Sequence, residues 1–285
     1  MSLPTYTMLI EPQELAALAR ADGSLAIIDC RHDLARPEWG AAAFLARHIP
    51  GAVFAHLDRD LSGPITRESG RHPLPEPERL AAAFGRWGID RATQIVAYDQ
   101  ASGAYAARLW WLARFLGHAR VAVLNGGLAA WQAAGLPVTS ATAARPARGF
   151  VGEPRLSWVV TAGEVARGLE RGEIVLVDAR TADRFAGRNE TIDAVAGHVP
   201  GARNHPLARN LDAQGRFLAR AELEQRWRET LSGAKPSAVV SMCGSGVTAC
   251  HNLLALELAG FAGARLYAGS WSEWIRDPAR RVALS

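Results

Sequence analysis

Residues 47–52, RHIPGA, return in the second half of the chain as residues 197–202, GHVPGA. A similar pair lies upstream of each copy, because residues 26–31 are AIIDCR and residues 175–180 are VLVDAR. Near the end of each half, residues 117–138 parallel residues 261–282 in the same order. Repetition of several segments in the same order indicates that the chain contains a single structural unit twice.

Each copy alternates short apolar stretches with helical ones, which is typical of a parallel sheet covered by helices. The sequence therefore predicts an α/β fold of two tandem domains, each a parallel sheet flanked by helices and related by internal duplication. We expect the first domain to cover residues 1–140 and the second residues 156–285. Residues 141–155 between them are rich in Ala, Arg, Pro and Gly and are predicted to be a surface linker.

The composition narrows the classes of partner. Of the 285 residues, 49% are hydrophobic and 21% are charged, as in globular proteins, and no apolar run approaches the ~20 residues that span a bilayer. We expect no membrane partner and, since the start lacks a basic leader, a cytoplasmic protein. The net charge of +4 comes from scattered basic residues, which argues against a nucleic-acid partner. Lys235 is the only lysine, so a fixed cation in any site must be arginine.

Cysteine is rare, with three in the chain, and this odd count favours a reducing compartment over a disulfide framework. Cys243 lies in the stretch 241–250, SMCGSGVTAC, between an apolar run predicted as a strand and a helical pattern that should stop near Gly260. Its glycines let several backbone N–H groups point into one concavity, which suits an anion such as a thiolate.

We interpret Cys243 as a nucleophile, with a buried structural cysteine as the alternative. The spacing of Cys243, Cys250 and His251 does not match a zinc site, and we expect no metal. In the first half, residues 97–111 pair Gly103 with Gly246 and place Gln100 opposite Cys243. Only the second half therefore keeps the predicted nucleophile.

With its duplicated halves, its two Pro-Gly turns and its CGSGVTAC loop, the chain resembles the two-domain rhodanese family of sulfurtransferases over nearly its whole length. The loop is similar to that of the 3-mercaptopyruvate sulfurtransferase branch, since thiosulfate-using members typically carry Arg-Lys where Gly244 and Ser245 stand here. The resemblance implies that sulfur passes from 3-mercaptopyruvate, through a persulfide on Cys243, to a thiol or cyanide acceptor, with release of pyruvate and without a cofactor.

The resemblance also implies roles for individual residues. A Ser-His-Asp arrangement for proton transfer would fall on Ser245, His72 and Asp58, the last two supplied by the other half. Without the resemblance, His72 is a solvent-facing loop residue, Asp58 caps a turn and Ser245 is a small loop residue. The predicted anion cradle consists of Gly244, Gly246, Val247 and Thr248.

An anionic donor needs a cation, and Arg184 matches the family pattern for it. A second arginine of animal relatives has no clear match, and Arg188 is the nearest candidate. Arg180, beside Asp178, is expected to form a structural ion pair, because Arg31 and Asp29 repeat the arrangement. His48 and His198 precede the repeated Pro-Gly turns and are assigned to turn structure.

Other functions fit parts of this pattern. One is a thiosulfate:cyanide sulfurtransferase, and another is a non-catalytic persulfide carrier with Cys243 exposed on its loop. A cysteine-dependent phosphatase would need an arginine six residues after the cysteine, where this chain has Ala249. The acceptor is open among cyanide, glutathione, thioredoxin and a dedicated partner. We expect a monomer, because two halves that complete one pocket need no second chain.

Overall fold

The computed structural model describes residues 4–21, 24–142 and 144–285. The chain forms two compact units. The first consists of the described parts of Met1–Gly63, Pro75–Arg155 and Ala213–Arg216, and the second of Pro64–Leu74, Leu156–Asp212 and Phe217–Ser285. Each unit therefore includes one short segment from the other half of the chain. Among the described residues, no helix is long and apolar enough to cross a membrane.

The first unit is built on a five-stranded parallel sheet with the strand order β1-β5-β4-β2-β3. Its strands are β1 (Leu9–Ile10), β2 (Leu25–Asp29), β3 (Ala52–Phe54), β4 (Gln94–Tyr98) and β5 (Val121–Leu124). Its helices are α1 (Pro12–Arg20), α2 (Trp39–Ala46), α3 (Pro77–Arg86), α4 (Ala106–Phe115) and α5 (Gly127–Ala133). Every residue of β4 and β5 is buried, as expected for central parallel strands covered by helices on both faces.

The second unit contains a four-stranded parallel sheet with the order β7-β6-β8-β9. The strands are β6 (Val175–Asp178), β7 (Arg203–Asn204), β8 (Val239–Met242) and β9 (Arg265–Leu266). The helices are α6 (Ala162–Glu170), α7 (Ala182–Phe185), α8 (Arg220–Leu231), α9 (Thr248–Leu258) and α10 (Ser270–Trp274). The predicted fold class, two parallel sheets flanked by helices, is confirmed.

Local sequence signals explain the ends of several helices. α6 begins after a capping box, in which the Thr161 hydroxyl accepts the N–H of Glu164 and the Glu164 carboxylate accepts the N–H of Thr161. α9 is followed by Gly260 in the left-handed region, at φ +88°, where glycine carries no Cβ penalty. The helices α7 and α10 were not predicted, because four and five residues are too few to show a helical period.

The segment between the two halves packs onto the first unit. The N–H of Arg148 donates to the carbonyl oxygen of Gly85 at 2.9 Å, and the N–H of Glu153 donates to that of Leu116 at 2.9 Å. The ring of Phe150 lies edge-on to Phe84, with 5.1 Å between the ring centres. The segment was expected to lie on the surface. It is held there because its backbone N–H groups donate to carbonyl oxygens at the ends of neighbouring helices.

The repeated sequence motifs perform the same structural task in both units. Arg31 binds the carboxylate of Asp29 and also donates to the carbonyl oxygen of Arg47, which precedes the first Pro-Gly turn. Arg180 likewise binds Asp178 and the carbonyl oxygen of Gly197. These buried ion pairs join the end of a strand to the turn that follows it, as the sequence predicted.

The two repeated histidines are also structural. Nδ1 of His48 is 2.7 Å from the carbonyl oxygen of Phe44, and Nδ1 of His198 is 2.8 Å from that of Phe185. The imidazole of His48 stacks on the ring of Phe44 and that of His198 on the ring of Phe185, with ring centres 3.9 Å and 3.8 Å apart. Both rings are buried, and they hold the turns as assigned from the sequence.

A polar network is buried between helices α8 and α9 of the second unit. His205 is fully buried, with Nδ1 2.7 Å from the hydroxyl of Thr230 and Nε2 3.1 Å from the amide oxygen of Asn210. Desolvation lowers the pKa of His205 to about 3, and the positive charges of Arg209 and Arg226 act in the same direction, as does His251. The imidazole is therefore neutral in the folded protein at neutral pH.

This network predicts acid sensitivity of folding. In the unfolded chain the His205 pKa returns to about 6.5. Between about pH 6.5 and pH 3 the unfolded state therefore binds a proton that the folded state does not bind. Stability from this group is complete above pH ~6.5 and falls by up to about 1.4 kcal/mol per pH unit below it. Urea unfolding between about pH 6.5 and 5 measures the slope. His205→Gln should flatten it, and an unchanged slope in that variant would contradict the assignment.

Candidate active site

Cys243 follows the last residue of β8, and α9 begins five residues later. Its sulfur accepts the backbone N–H groups of Ser245 at 3.4 Å and Gly246 at 3.1 Å. Gly246 has φ +79°, and a Cβ there would lie 2.2 Å from the carbonyl oxygen of Ala268, so only glycine fits this turn. The loop thus folds its own amides around the sulfur.

The remaining residues of the predicted cradle lie in the same loop. The carbonyl oxygen of Gly244 accepts the N–H of Ser272 at 2.9 Å. Val247 is buried, and Thr248 is the half-buried first residue of α9. Cys243 itself is 2% exposed, which corrects the expectation of a carrier whose cysteine is exposed on its loop.

The turn at the start of α10 holds the cysteine in place and was missed at the level of sequence. The hydroxyl of Ser270 accepts the N–H of Cys243 at 3.1 Å, and the N–H of Trp271 donates to the carbonyl oxygen of Cys243 at 3.0 Å. Ser270 has φ +54°, an uncommon conformation for a residue other than glycine. The sequence did contain one signal for this turn, because the repeat pairs Gly126 with Gly269. These glycines directly precede the short helices α5 and α10.

His72 belongs to the segment Pro64–Leu74 of the second unit. Its Nδ1 is 2.7 Å from Oγ of Ser245, and both side chains are 6% exposed. The adjacent Arg71 donates its backbone N–H to Oγ of Ser272 at 3.0 Å, and a Cβ on Gly70 would lie 2.4 Å from the carbonyl oxygen of Gly269. Close packing against the α10 turn therefore positions the histidine beside the cysteine loop.

Asp58 belongs to the first unit. Its backbone N–H donates to Nδ1 of His56 at 3.1 Å, and its carboxylate lies 3.9 Å from the same atom. The side chain is 42% exposed. Its assignment to proton transfer stays a prediction.

Arg184 lies on α7 and faces the cysteine loop. A Cβ placed on Gly244 would be 3.5 Å from Nη2 and 3.6 Å from Nη1 of Arg184. The buried carboxylates of Glu190 and Asp193 bind the same guanidinium, each at 2.9 Å. Burial acts to raise the pKa of Glu190, but the Arg184 guanidinium and the backbone N–H groups of Asp193 and Ile192 outweigh it and lower that pKa. Arg184 is thus held in one orientation next to the loop.

Arg188 has a different environment. Its guanidinium pairs with Asp183 at 3.2 Å, and both side chains are about two-thirds exposed, at 65% and 63%. An exposed pair of this kind contributes at most about 1 kcal/mol. Within the described part of the chain, Arg188 has no polar partner in the cysteine loop.

The equivalent loop of the first unit is occupied by a carboxylate of the chain itself. Asp99 accepts four backbone N–H groups, those of Ala101, Gly103, Tyr105 and Ala106, at 2.8–3.2 Å. The amide of Gln100, the residue aligned with Cys243, instead donates to the carbonyl oxygen of His32. Both units therefore form a loop of converging amide N–H groups, and in the first unit the carboxylate of Asp99 occupies that loop.

The other two cysteines lie in different surroundings. Burial raises the pKa of the Cys30 thiol, and Asp29 adds to the effect. The thiol of Cys250 donates to the carbonyl oxygen of Gly246 at 3.4 Å. At Cys243, the sulfur is itself the acceptor of two N–H groups of its own loop, those of Ser245 and Gly246.

Comparison with known proteins identifies the family of the chain. The family model of the rhodanese-like domain matches residues 11–134 and again residues 161–277. A Pseudomonas aeruginosa protein named as a probable 3-mercaptopyruvate sulfurtransferase is 48% identical over 277 residues, covering 96% of this chain and 97% of that protein. A thiosulfate sulfurtransferase of Gallus gallus is 36% identical over 237 residues, covering 81% and 79%.

Among solved structures, the 3-mercaptopyruvate sulfurtransferase SseA of Escherichia coli matches with a TM-score of 0.81 and 31% identity, covering 94% of this chain and all of that one. The structural match extends over both units, each of which also carries its own domain match. With this similarity along almost its entire length, the chain belongs to the two-domain rhodanese family and is a sulfurtransferase enzyme.

Proposed function

We propose that the enzyme transfers sulfur from 3-mercaptopyruvate to a thiol or cyanide acceptor through a persulfide on Cys243. The observation that carries this proposal is the position of the Cys243 sulfur, which accepts two loop amides while Ser245 of the same loop is hydrogen-bonded to His72. The loop supplies stabilisation for an anionic sulfur, and His72 supplies a group that can move a proton near neutral pH.

In the first step, the Cys243 thiolate attacks the sulfur of 3-mercaptopyruvate. A sulfur–sulfur bond forms and the carbon–sulfur bond breaks, so the electron pair of the broken bond leaves on carbon as the enolate of pyruvate. The outer sulfur stays on Cys243 as a persulfide. Backbone N–H groups stabilise negative charge on sulfur without giving up a proton, which suits both the thiolate and the persulfide anion.

The enolate must then be protonated before pyruvate leaves. Ser245 and His72, hydrogen-bonded at 2.7 Å, form a proton route to the loop. We assign His72 as the general acid acting through Ser245, with Asp58 as the carboxylate that orients the imidazole on the strength of the family resemblance. Proton transfer of this type is typically worth about 10²–10⁴-fold in rate.

In the second step, the acceptor attacks the outer sulfur and the Cys243 thiolate is regenerated. A thiol acceptor leaves as a persulfide and cyanide leaves as thiocyanate. Because Cys243 is 2% exposed, small acceptors reach it most easily, and a protein such as thioredoxin would have to insert its own thiol into the loop. The same burial argues against a carrier that only presents its cysteine to a partner.

The choice of donor rests on the loop sequence. Gly244 and Ser245 bring no positive charge, whereas a dianionic donor such as thiosulfate gains most from cations next to the sulfur. A ketoacid donor needs one carboxylate ligand and one proton source, for which Arg184 and His72 are available. Thiosulfate is the alternative donor, because the relative in Gallus gallus is named as a thiosulfate sulfurtransferase.

Steady-state kinetics of the purified protein with each donor, at a fixed concentration of cyanide, tests this assignment. We expect kcat/KM to be higher for 3-mercaptopyruvate than for thiosulfate. A higher value for thiosulfate would make the chain a thiosulfate sulfurtransferase. A persulfide that forms on Cys243 but does not turn over with cyanide or a small thiol would instead favour a carrier that delivers sulfur to a partner protein.

A further inference from the structure

Two guanidinium groups of the second unit converge on Gly244. A Cβ built on this glycine would lie 3.1 Å from Nη2 of Arg71, and 3.5 Å and 3.6 Å from Nη2 and Nη1 of Arg184. Arg71 comes from the segment Pro64–Leu74 and Arg184 from α7, so distant parts of the chain bring the two cations to one point. That point lies next to Cys243 in the loop.

A single carboxylate holds both groups. Oδ1 of Asp193 binds Nη1 of Arg71, and Oδ2 of Asp193 binds Nη2 of Arg184 at 2.9 Å. Asp193 is 3% exposed, whereas Arg71 and Arg184 keep 27% and 17% of their surface. The carboxylate is therefore buried behind the two guanidinium groups, which remain accessible to solvent.

Each guanidinium has five N–H donors in a fixed plane, and Asp193 uses only some of them. Within the described part of the chain, Nη2 of Arg71 and Nη1 of Arg184 make no hydrogen bond to a protein acceptor, and both atoms lie near Gly244. Donors that face the same point from two sides match the two oxygens of a carboxylate.

We propose that Arg71 and Arg184 together bind the carboxylate of the sulfur donor, with Asp193 fixing the distance between them. This inference rests on the proposed function and adds Arg71 as a residue that determines specificity. The buried carboxylates of Asp193 and Glu190 offset the positive charge, so recognition depends on the shape of the paired forks more than on net charge. Pyruvate retains the same carboxylate, so we expect it to bind to the same two arginines.

The test compares the native enzyme with Arg71→Ala, Arg71→Lys and Arg184→Ala. Arg67 lies in the same segment, is exposed and makes no described polar contact, so Arg67→Ala is the matched control. The donors are 3-mercaptopyruvate and mercaptoacetone, in which a methyl group replaces the carboxylate. Calorimetric titration with pyruvate adds a measurement of binding that does not depend on turnover.

We expect Arg71→Ala to raise KM for 3-mercaptopyruvate and Kd for pyruvate about ten- to a hundredfold, as for the loss of a charge-assisted hydrogen bond. Its kcat/KM for mercaptoacetone should stay at the native value. Arg71→Lys should recover only part of the loss, because an ammonium cannot replace a planar fork. Arg67→Ala should behave as the native enzyme.

Two results would overturn the inference. One is a pyruvate Kd that Arg71→Ala leaves unchanged, and the other is an equal loss of kcat/KM for both donors, which would mean that Arg71 only anchors the segment carrying His72. Failure of the proposed function has a different signature. In that case the native enzyme prefers thiosulfate, while the effect of Arg71→Ala on pyruvate binding still decides the role of Arg71.

Discussion

Cys243→Ser is expected to lower kcat/KM for sulfur transfer at least about a thousandfold with either donor. A serine hydroxyl in the same cradle is un-ionised at neutral pH, and an oxygen nucleophile does not form the persulfide that stores the transferred sulfur. The two amides that bind the Cys243 sulfur would remain in place, so the loss should come from chemistry and leave the fold intact.

Mass spectrometry of the intact protein after incubation with donor provides a second measurement. The native enzyme should gain one sulfur atom, mapped to the peptide containing Cys243, and Cys243→Ser should gain none. Cys30→Ala is the control, because Cys30 is a buried thiol of the first unit and its pKa is raised. Full turnover by Cys243→Ser would eliminate the persulfide mechanism.

His72→Ala is expected to lower kcat with 3-mercaptopyruvate by about 10²–10⁴-fold and to affect thiosulfate much less. Only the ketoacid leaves as an enolate that needs a proton, whereas sulfite leaves thiosulfate as a stable anion. His72→Gln separates the two roles of the imidazole, because glutamine can hydrogen-bond Ser245 but cannot act as an acid near pH 7. We expect it to resemble His72→Ala in rate.

The ratio of kcat for the two donors is the decisive quantity for His72. Equal losses with both donors would show that the side chain only shapes the loop, through its 2.7 Å contact with Ser245. Thermal denaturation of each variant checks that the substitution leaves the stability of the folded protein unchanged. A variant that keeps the native Tm and loses the donor preference supports a role in proton transfer.

Much of the fold follows from local sequence. The pairs AIIDCR and VLVDAR, and RHIPGA and GHVPGA, revealed the duplication, because each encodes a strand end with its ion pair and a stacked histidine. The strand, the glycine loop and the helix around Cys243 lie within a short stretch of chain, and their boundaries agree closely with the structure. Periodicity and turn residues act over a few positions, so they can be recognised without tertiary contacts.

Short helices and partners distant in sequence were harder to predict. α10 has five residues and its turn includes Ser270 at φ +54°, a conformation that contact with Cys243 helps to stabilise. The sequence also put forward Arg188 as a second arginine, and the structure places that side chain in an exposed pair with Asp183. Arg71 was not put forward, because its approach to Gly244 joins residues that are far apart in the sequence.

The sequence by itself determined the duplicated α/β architecture and the glycine loop around Cys243, the predicted nucleophile, because these depend on neighbouring residues. The family resemblance implied that His72 and Arg184 act at that loop, and tertiary structure decided that Arg71 and the α10 turn meet it as well. His72 and Ser245 are 173 positions apart, and Arg71 and Ser272 are 201 apart, so their contacts exist only once the segment Pro64–Leu74 packs into the second unit. Contacts over such separations depend on the packing of whole elements, which residue order does not reveal.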